Sequence, residues 1–370
     1  MTTDAIRSTA EQADVVIGTS GAMGTVTLDR PRALNALTED MRLRISNAFP
    51  EFARDPNVYA VVIRSALAGI FSANEDLHDL ATLARADAEA AKRVIRGKYA
   101  LHWLLECFSK PTVSLINGLV MGSGGGLTIF GTHRVAGESY EFATRETAAG
   151  FFPDGGLASV FARMPGHVGM YLGLTGRRIG RADAFALNLV THCISATRFG
   201  EIAAGLTEAD PVDPLLDERH EDPGRGELAR RRDLIESCFS ASTVAEVFAR
   251  LQARSQRGGD DGMWCAAVLD DLRDRSPLAL KVTFWHIRES AGRDLRQTLL
   301  MDYRLGCSLM QNADFRDSAK AVRDDKDNTR IWSPDCLETI DEAMVQKCFA
   351  LSPGDEFNLP TRQDMQAARV

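Results

Sequence analysis

Residues 110–136 read KPTVSLINGLVMGSGGGLTIFGTHRVA. Lys110 and Pro111 close the helical pattern that precedes them, because proline pushes the residue before it out of helical geometry. PTVSLING is a short apolar, β-branched run suited to a buried strand. The glycine-rich stretch after it has the look of a helix entry, and HRVAGESYEFAT (133–144) returns to strand. Within it, MGSGGGL (121–127) fits three kinds of site unequally. A dinucleotide fingerprint needs glycine at its sixth position, which is Leu127 here. A nucleophile elbow needs glycine two residues before Ser123, where Met121 stands. A strand ending at a helix N-terminus remains, its backbone N–H groups aimed at an anion or a developing oxyanion. Close packing through glycine is the competing explanation of the same residues.

The flanking sequence continues the alternation. ADVVIGTSGAMGTVTLDRP (13–31) reads as a hairpin of two β-branched runs around a Gly/Ser turn. Thr38 is a helix N-cap, with Glu39 and Asp40 in the first turn of a helix to about Ala53. YAVVIRSA (59–66) is another buried strand, and a long helix runs from about Asp87 to Phe108. Strand and helix alternate to about residue 200, which is the pattern of an α/β layered fold. TEADPVDPLLDERHEDPGRGE (207–227) is rich in proline and acid and reads as an exposed linker or insertion. Beyond it the patterns are helical, as in LALKVTFWHIRESAG (278–292) and LRQTLLMDYRLGCSLM (295–310). The expected division is a core at 1–200, an acidic linker or insertion at 201–228, and a helical region at 229–370.

Composition excludes several functions. The 370 residues are 45% hydrophobic and 25% charged, as in globular proteins, with a net charge of −8. That balance argues against non-specific nucleic-acid binding, which rests on a positive footprint. Seven scattered cysteines form no CxxC pair, and seven histidines form no HxH or HxxxH spacing. Free thiols in a reducing compartment and no metal site are expected. The polar N-terminus lacks a signal-peptide apolar core, and no apolar run reaches membrane-spanning length. A cytoplasmic protein is expected.

ATRETAAGFFPDGG (143–156) sets two carboxylates, Glu146 and Asp154, in an apolar, glycine-rich neighbourhood. Burying a carboxylate is expensive unless it is paired or hydrogen-bonded. Either both acids sit at surface turns, with Asp154 capping the helix GGLASVFARM (155–164), or they line a pocket and do chemistry. FSANEDLHDL (71–80) follows a strand end, where α/β folds carry ligand loops, and Asp76 reads as an N-cap. His78, His102 and His192 lack partner spacing and read as satisfied or surface histidines.

These pieces, in this order, resemble the crotonase (enoyl-CoA hydratase/isomerase) superfamily, and within it the 3-hydroxyisobutyryl-CoA hydrolase branch. The matching stretches are VTLDRPRALNALTEDM (26–41), KPTVSLINGLVMGSGGGLTIFGTHRVA (110–136), FATRETAAGFFPDGG (142–156) and LMDYRLGCSLMQNADFRDSAKAVRDDKDNTRIW (300–332). The resemblance implies a spiral of ββα units followed by a helical C-terminal region. It implies an acyl-CoA thioester hydrolase of valine or related branched-chain acyl-CoA metabolism, with coenzyme A entering as part of the substrate and no other cofactor or metal. Glu146 then is the general base or the nucleophile, and Asp154 holds substrate or water or shuttles a proton. The oxyanion donors fall on the backbone N–H groups of Glu75 and Ser123, each worth roughly 3–4 kcal/mol in acyl-transfer enzymes. Gly122, Gly124 and Lys98 fall at substrate-facing positions. Arg32, Ala33 and Leu34 fall along coenzyme A, with Lys326 a further phosphate candidate. A trimer or hexamer is the superfamily's common assembly.

Hydratases of the superfamily carry a first catalytic Glu where this chain has Gly126. The chain also departs from its own branch. The family loop A-G-G-D or A-G-A-D is Ala73-Asn74-Glu75-Asp76 here. An ionised Glu75 about 6 Å from an oxyanion opposes it by roughly 3 kcal/mol at an effective dielectric near 20. Ser123 stands in the glycine triplet, and Lys98 replaces a substrate-contacting Glu. A Lys98–Glu75 pair across the pocket mouth competes with both side chains facing solvent. The alternatives to hydrolysis are a hydratase or isomerase, using Glu146 alone or with Glu75, and a catalytically weak acyl-CoA-binding homologue.

Overall fold

The computed structural model of the chain describes residues 13–73, 77–316, 332–350 and 355–370, with the side chains of His78 and Ser123 also outside the description. Asn74, Glu75, Asp76 and Lys326 therefore lie outside the described residues. The N-terminal hairpin forms as the β-branched runs direct. β1 (Val15–Ser20) and β2 (Met23–Leu28) pair antiparallel, with Val15 opposite Leu28 and Ser20 opposite Met23. Thr38 caps α1 (Glu39–Arg54) by accepting the Met41 N–H.

A three-part unit then repeats. β3 (Ala60–Ser65) and β4 (Gly69–Ala73) lead to α2 (Leu77–Ala86) and α3 (Ala88–Cys107). β5 (Thr112–Ile116) and β6 (Gly118–Met121) lead to α4 (Ser123–Ile129). β7 (His133–Ala136) and β8 (Glu141–Ala143) lead to a 3-10 turn, Glu146–Ala149, and then to α5 (Leu157–Phe161). α6 (Val168–Thr175), β9 (Ile179–Gly180), α7 (Arg181–Ala186) and β10 (His192–Cys193) complete the layered part. The first strand of each unit joins a six-stranded sheet of order β1-β2-β3-β5-β7-β10, and the second joins a four-stranded sheet of order β4-β6-β8-β9. β3, β5 and β7 run parallel, as do β4, β6 and β8, so each unit advances both sheets by one strand. The result is the expected α/β spiral.

Strand alternation divides the interior. On β3, Val61 and Ile63 face the main apolar core with Met41, Ile45 and Phe49 of α1. Ala60 and Val62 face a second cluster with Ile202, Leu206, Val212, Leu215 and Leu216. Those last five belong to α8 (Phe199–Thr207) and α9 (Val212–Asp217). The acidic segment is thus largely a helical layer on the sheet up to Asp217, and residues 208–211 and 218–226 run without regular secondary structure. His133 on β7 and His192 on the parallel edge strand β10 reach Asp213 and Asp217 of α9 at 3.0 and 3.1 Å.

The helical region comprises α10 (Glu227–Phe239), α11 (Val244–Ser255), α12 (Gly259–Arg273), α13 (Pro277–Ser290), α14 (Leu295–Leu309) and, further on, Glu342–Phe349 and Arg362–Ala367. Asp183 of α7 caps α10 by accepting the N–H groups of Glu227 and Leu228. Burial pushes its carboxyl above the usual range, although those two N–H groups pull the other way. Apolar residues of the helical region share the main core with those of the spiral: Leu299 and Tyr303 belong to the same cluster as Ile95 and Phe151. Among the described residues no helix is long and apolar enough to cross a membrane.

All seven cysteines are free, and all but Cys336 are buried. Burial pushes the thiols of Cys107, Cys193 and Cys307 up to about 11 and that of Cys265 up to about 12. A thiolate is the reactive form, so these groups are inert near neutral pH. Titration of the native protein with a disulfide reagent at pH 8 is expected to find one fast thiol, Cys336, with the others reacting only on unfolding. A second fast thiol, located by peptide mapping, would contradict the packing described here.

Candidate active site

Three pieces of chain carry the candidate residues outside the glycine-rich helix. The first is α3, which begins at Asp87, whose side chain accepts the Ala90 N–H at 2.9 Å. Lys98 and His102 lie four residues apart, one turn of helix, and so share a face. The second is the turn at Glu146. Gly150 follows it at φ +68°, where only glycine is unstrained, and a Cβ there would lie 2.9 Å from the Asp314 backbone. Thr147 donates to Leu174 O at 3.2 Å and accepts from Ser276 N at its own carbonyl, which wedges the turn between α6 and α13. The third is the Phe151–Gly156 segment. Phe151 and Phe152 stack with centroids 4.8 Å apart, and Phe315 lies 4.9 Å from Phe151.

Both acids are buried, Glu146 to 1% exposure and Asp154 to 5%. The surface-turn reading is therefore overturned for both. Asp154 does not cap the helix after it: the N-cap of α5 is Gly156, without a side-chain hydrogen bond. Asp154 Oδ2 instead sits 2.6 Å from Lys98 Nζ and accepts the Tyr99 hydroxyl at 2.7 Å. Two donors from consecutive residues of α3 converge on one carboxylate oxygen. Lys98 is 1% exposed, so its reading as a surface residue also fails. The Glu75 partner proposed for it lies outside the described residues.

The glycine segment has a steric reason at alternate positions. Gly122 turns the chain from β6 into α4 at φ +43°. A Cβ on Gly124 would lie 2.6 Å from Ser72 Cβ, so this residue lets α4 press against β4. A Cβ on Gly126 would lie 2.1 to 2.7 Å from ring atoms of His102. The packing and helix-entry readings of this segment are both realised. Ser123 contributes the first N–H of α4, one of those with no acceptor within its own helix. Ser72 Oγ donates to Asn35 O at 2.8 Å, and the buried Asn35 amide donates to Ser65 Oγ and Phe71 O at 2.8 and 3.0 Å. Asn35 thereby pins the turn carrying Arg32, Ala33 and Leu34. Leu34 O accepts the Ala73 N–H at 2.9 Å, which places this turn beside the end of β4, next to the segment bearing Glu75. Arg32 is exposed and ion-paired with Asp14 at 2.7 Å.

Three further residues of this neighbourhood, Tyr99, His286 and Asp302, are not singled out as site residues by the sequence. Tyr99 is found only through its contact with Asp154, and His102, read from sequence as a satisfied or surface histidine, is buried against Gly155 O. His286 and Asp302 carry a clearer signal, as polar residues on the apolar stripes of α13 and α14. Among the described residues no cluster of three or more His, Cys, Asp or Glu side chains is arranged to hold a metal.

Comparison with known proteins agrees on the family and differs on the reaction. The family model described as Enoyl-CoA hydratase/isomerase matches residues 23–349. The chain is 31% identical over 372 residues to 3-hydroxyisobutyryl-CoA hydrolase 1 of Arabidopsis thaliana, covering 98% of each protein. It is 32% identical over 351 residues to the mitochondrial 3-hydroxyisobutyryl-CoA hydrolase of Xenopus laevis, covering 92% of this chain and 90% of that one. Among solved structures, a carnitinyl-CoA dehydratase from Mycobacterium thermoresistibile superposes with a TM-score of 0.86 at 30% identity, covering 93% of this chain and 98% of that one.

Removing one partner of a buried ion pair strands the other charge, whereas replacing both does not. Lys98→Met and Asp154→Leu are each expected to destabilise the fold by about 3–5 kcal/mol, and the double variant by less than their sum. Urea denaturation of the four proteins measures this. Strict additivity would show that the pair contributes no coupling.

Proposed function

The chain belongs to the enoyl-CoA hydratase/isomerase family, and we propose that within it the protein is an acyl-CoA thioester hydrolase of the 3-hydroxyisobutyryl-CoA type. The observation that carries this choice is the His102 ring against Gly126. Hydration of an enoyl group by two carboxylates needs an acid at that place, and the imidazole occupies the space its side chain would need. Glu146 is left to activate water at an acyl carbon. The Arabidopsis thaliana and Xenopus laevis relatives, both designated 3-hydroxyisobutyryl-CoA hydrolases, support the same reading.

In this reaction the Glu146 carboxylate takes a proton from water as the water oxygen attacks the thioester carbonyl. The carbonyl oxygen becomes an oxyanion facing the Ser123 N–H at the start of α4, with the Glu75 N–H as second donor. Collapse breaks the C–S bond, and the coenzyme A thiolate leaves with the proton that Glu146 holds. Asp154, fixed by Lys98 and Tyr99, orients the water or the acyl group. Gly122 and Gly124 border the acyl group, and the turn Arg32–Leu34 lies along the nucleotide, with Lys326 as a further phosphate contact. No metal or organic cofactor takes part. Valine or related branched-chain acyl-CoA breakdown is the setting, in the reducing cytoplasm that seven free thiols fit. A trimer or hexamer belongs to the same proposal.

Free-thiol release from a panel of acyl-CoA esters, including 3-hydroxyisobutyryl-CoA, tests the reading. Wild type is expected to release thiol, with rate unchanged by EDTA. Glu146→Gln is expected to lower kcat by about 10²- to 10⁴-fold, the usual contribution of a general base. Repeated turnover in ¹⁸O-water should label the acid product and leave the peptide bearing Glu146 unlabelled, whereas a nucleophilic Glu146 would take up label. Hydration of an enoyl-CoA without thiol release would overturn the hydrolase in favour of the hydratase. Binding of esters without either reaction would leave a binding protein.

A further inference from the structure

The Gly155–Gly156 peptide bond, one residue beyond Asp154, is held at both of its polar ends by side chains that no step of the hydrolysis uses. Its carbonyl, Gly155 O, lies 3.0 Å from His102 Nδ1. Its amide, Gly156 N–H, donates to Asp302 Oδ2 at 2.7 Å. Behind Asp302, the other carboxylate oxygen meets His286 Nε2 at 2.5 Å. His102 and His286 are 1% exposed and Asp302 is 0% exposed. The three side chains come from α3, α13 and α14, so one peptide unit of the candidate site is gripped from both the spiral and the helical region.

Donor and acceptor roles follow from chemistry. A carbonyl oxygen only accepts, so His102 carries its hydrogen on Nδ1. The carboxylate of Asp302 accepts from both Gly156 N–H and His286 Nε2–H. The His286 Nδ1 atom is buried without a hydrogen-bond partner, among the described residues. That imidazole therefore acts through one nitrogen, and that nitrogen faces Asp302.

The two glycines of this peptide unit bring no side chain to the contact. Gly155 and Gly156 sit at φ +71° and +92°. A Cβ on Gly155 would lie 2.6 Å from the His102 ring, and one on Gly156 would lie 2.3 Å from Leu295. The segment therefore has no side chain of its own to anchor it there. The peptide unit is planar, so fixing its two ends fixes the plane, and only two soft dihedrals separate that plane from Asp154 Cα. A buried carboxylate is a costly way to fill a helix–helix contact, where an apolar residue packs at least as well.

We infer that His102 and the Asp302–His286 pair are positioning residues for Asp154, through which the helical region sets the geometry of the candidate site. The kinetic arm of the test rests on the hydrolase reading; the exchange arm does not. Asp302→Leu removes the acceptor at similar size, and Asp302→Asn restores an acceptor for Gly156 N–H. Amide hydrogen exchange at Gly156, read at single-residue resolution, is expected to quicken about 10- to 100-fold in Asp302→Leu, the loss of one hydrogen bond to a charged group. It should return close to wild type in Asp302→Asn. In the thioester assay kcat is expected to fall about 10- to 100-fold in Asp302→Leu at near-constant KM, with most of it recovered in Asp302→Asn. Circular dichroism verifies that the variants are folded.

If Asp302→Leu does not fold, His286→Leu takes its place, with faster exchange at Gly156 expected. Unchanged exchange in a folded variant overturns the inference. So does an equal loss in the Asn and Leu variants, which would mark a purely steric role. If wild type cleaves no ester, the hydrolase reading fails while the exchange comparison still decides the clamp.

Discussion

Lys98 and Asp154 face each other at 2.6 Å with side chains 1% and 4% exposed. The rest of the candidate site is arranged around this contact. An ammonium taken out of water must recover its lost hydration from a partner at hydrogen-bond distance, and the carboxylate likewise. The requirement ties the middle of a long helix to a glycine-rich loop that has no regular structure of its own. Tyr99 adds a neutral donor to the same oxygen, which directs the carboxylate without adding charge. An apolar pair of similar volume would stabilise the fold at least as well. What the ion pair adds is a carboxylate of defined direction in a dry place, which is what acyl chemistry there would use.

The spiral makes such a place available. Because successive ββα units advance both sheets in parallel, the helix after each strand pair returns to the same side of the molecule. α3 and α4 are therefore neighbours, and α3 also meets the loop carrying Asp154 although 98 and 154 are far apart in sequence. The small residues of α4 let this layer close. Gly124 brings the helix onto β4, and Gly126 admits the His102 ring. The helical region then covers the turn at Glu146 with α13 and the loop after Asp154 with α14.

What was legible in the sequence was what local chemistry sets. The β1–β2 hairpin, the Thr38 cap on α1, the span of α3 and the strand at 112–116 all follow from residues within a few positions of one another. The segment at 207–217 misled because proline and acid dominate its composition, while Val212, Leu215 and Leu216 at helical spacing carry its burial. Asp154 misled for another reason. Its position before Gly-Gly fits a cap, yet its partners are on a helix 55 residues away. Lys98 shows the same limit: nothing adjacent in the chain separates a buried lysine from a solvated one. The family resemblance singled out 98, 126, 146 and 154, but not how 98 and 126 are filled, since that depends on which side chains meet across α3 and α4.

The contact between His102 and position 126 also constrains how this chain can change over evolutionary time. The two residues occupy one volume, so their substitutions are not independent. A lineage acquiring an acid at 126 while keeping the imidazole meets a collision, and one that trims the imidazole first leaves a cavity and frees the loop after Asp154. Both orders pass through a less fit intermediate, which is sign epistasis between two sites in direct contact. A change between one-carboxylate and two-carboxylate chemistry at this place therefore calls for coordinated substitution at both positions.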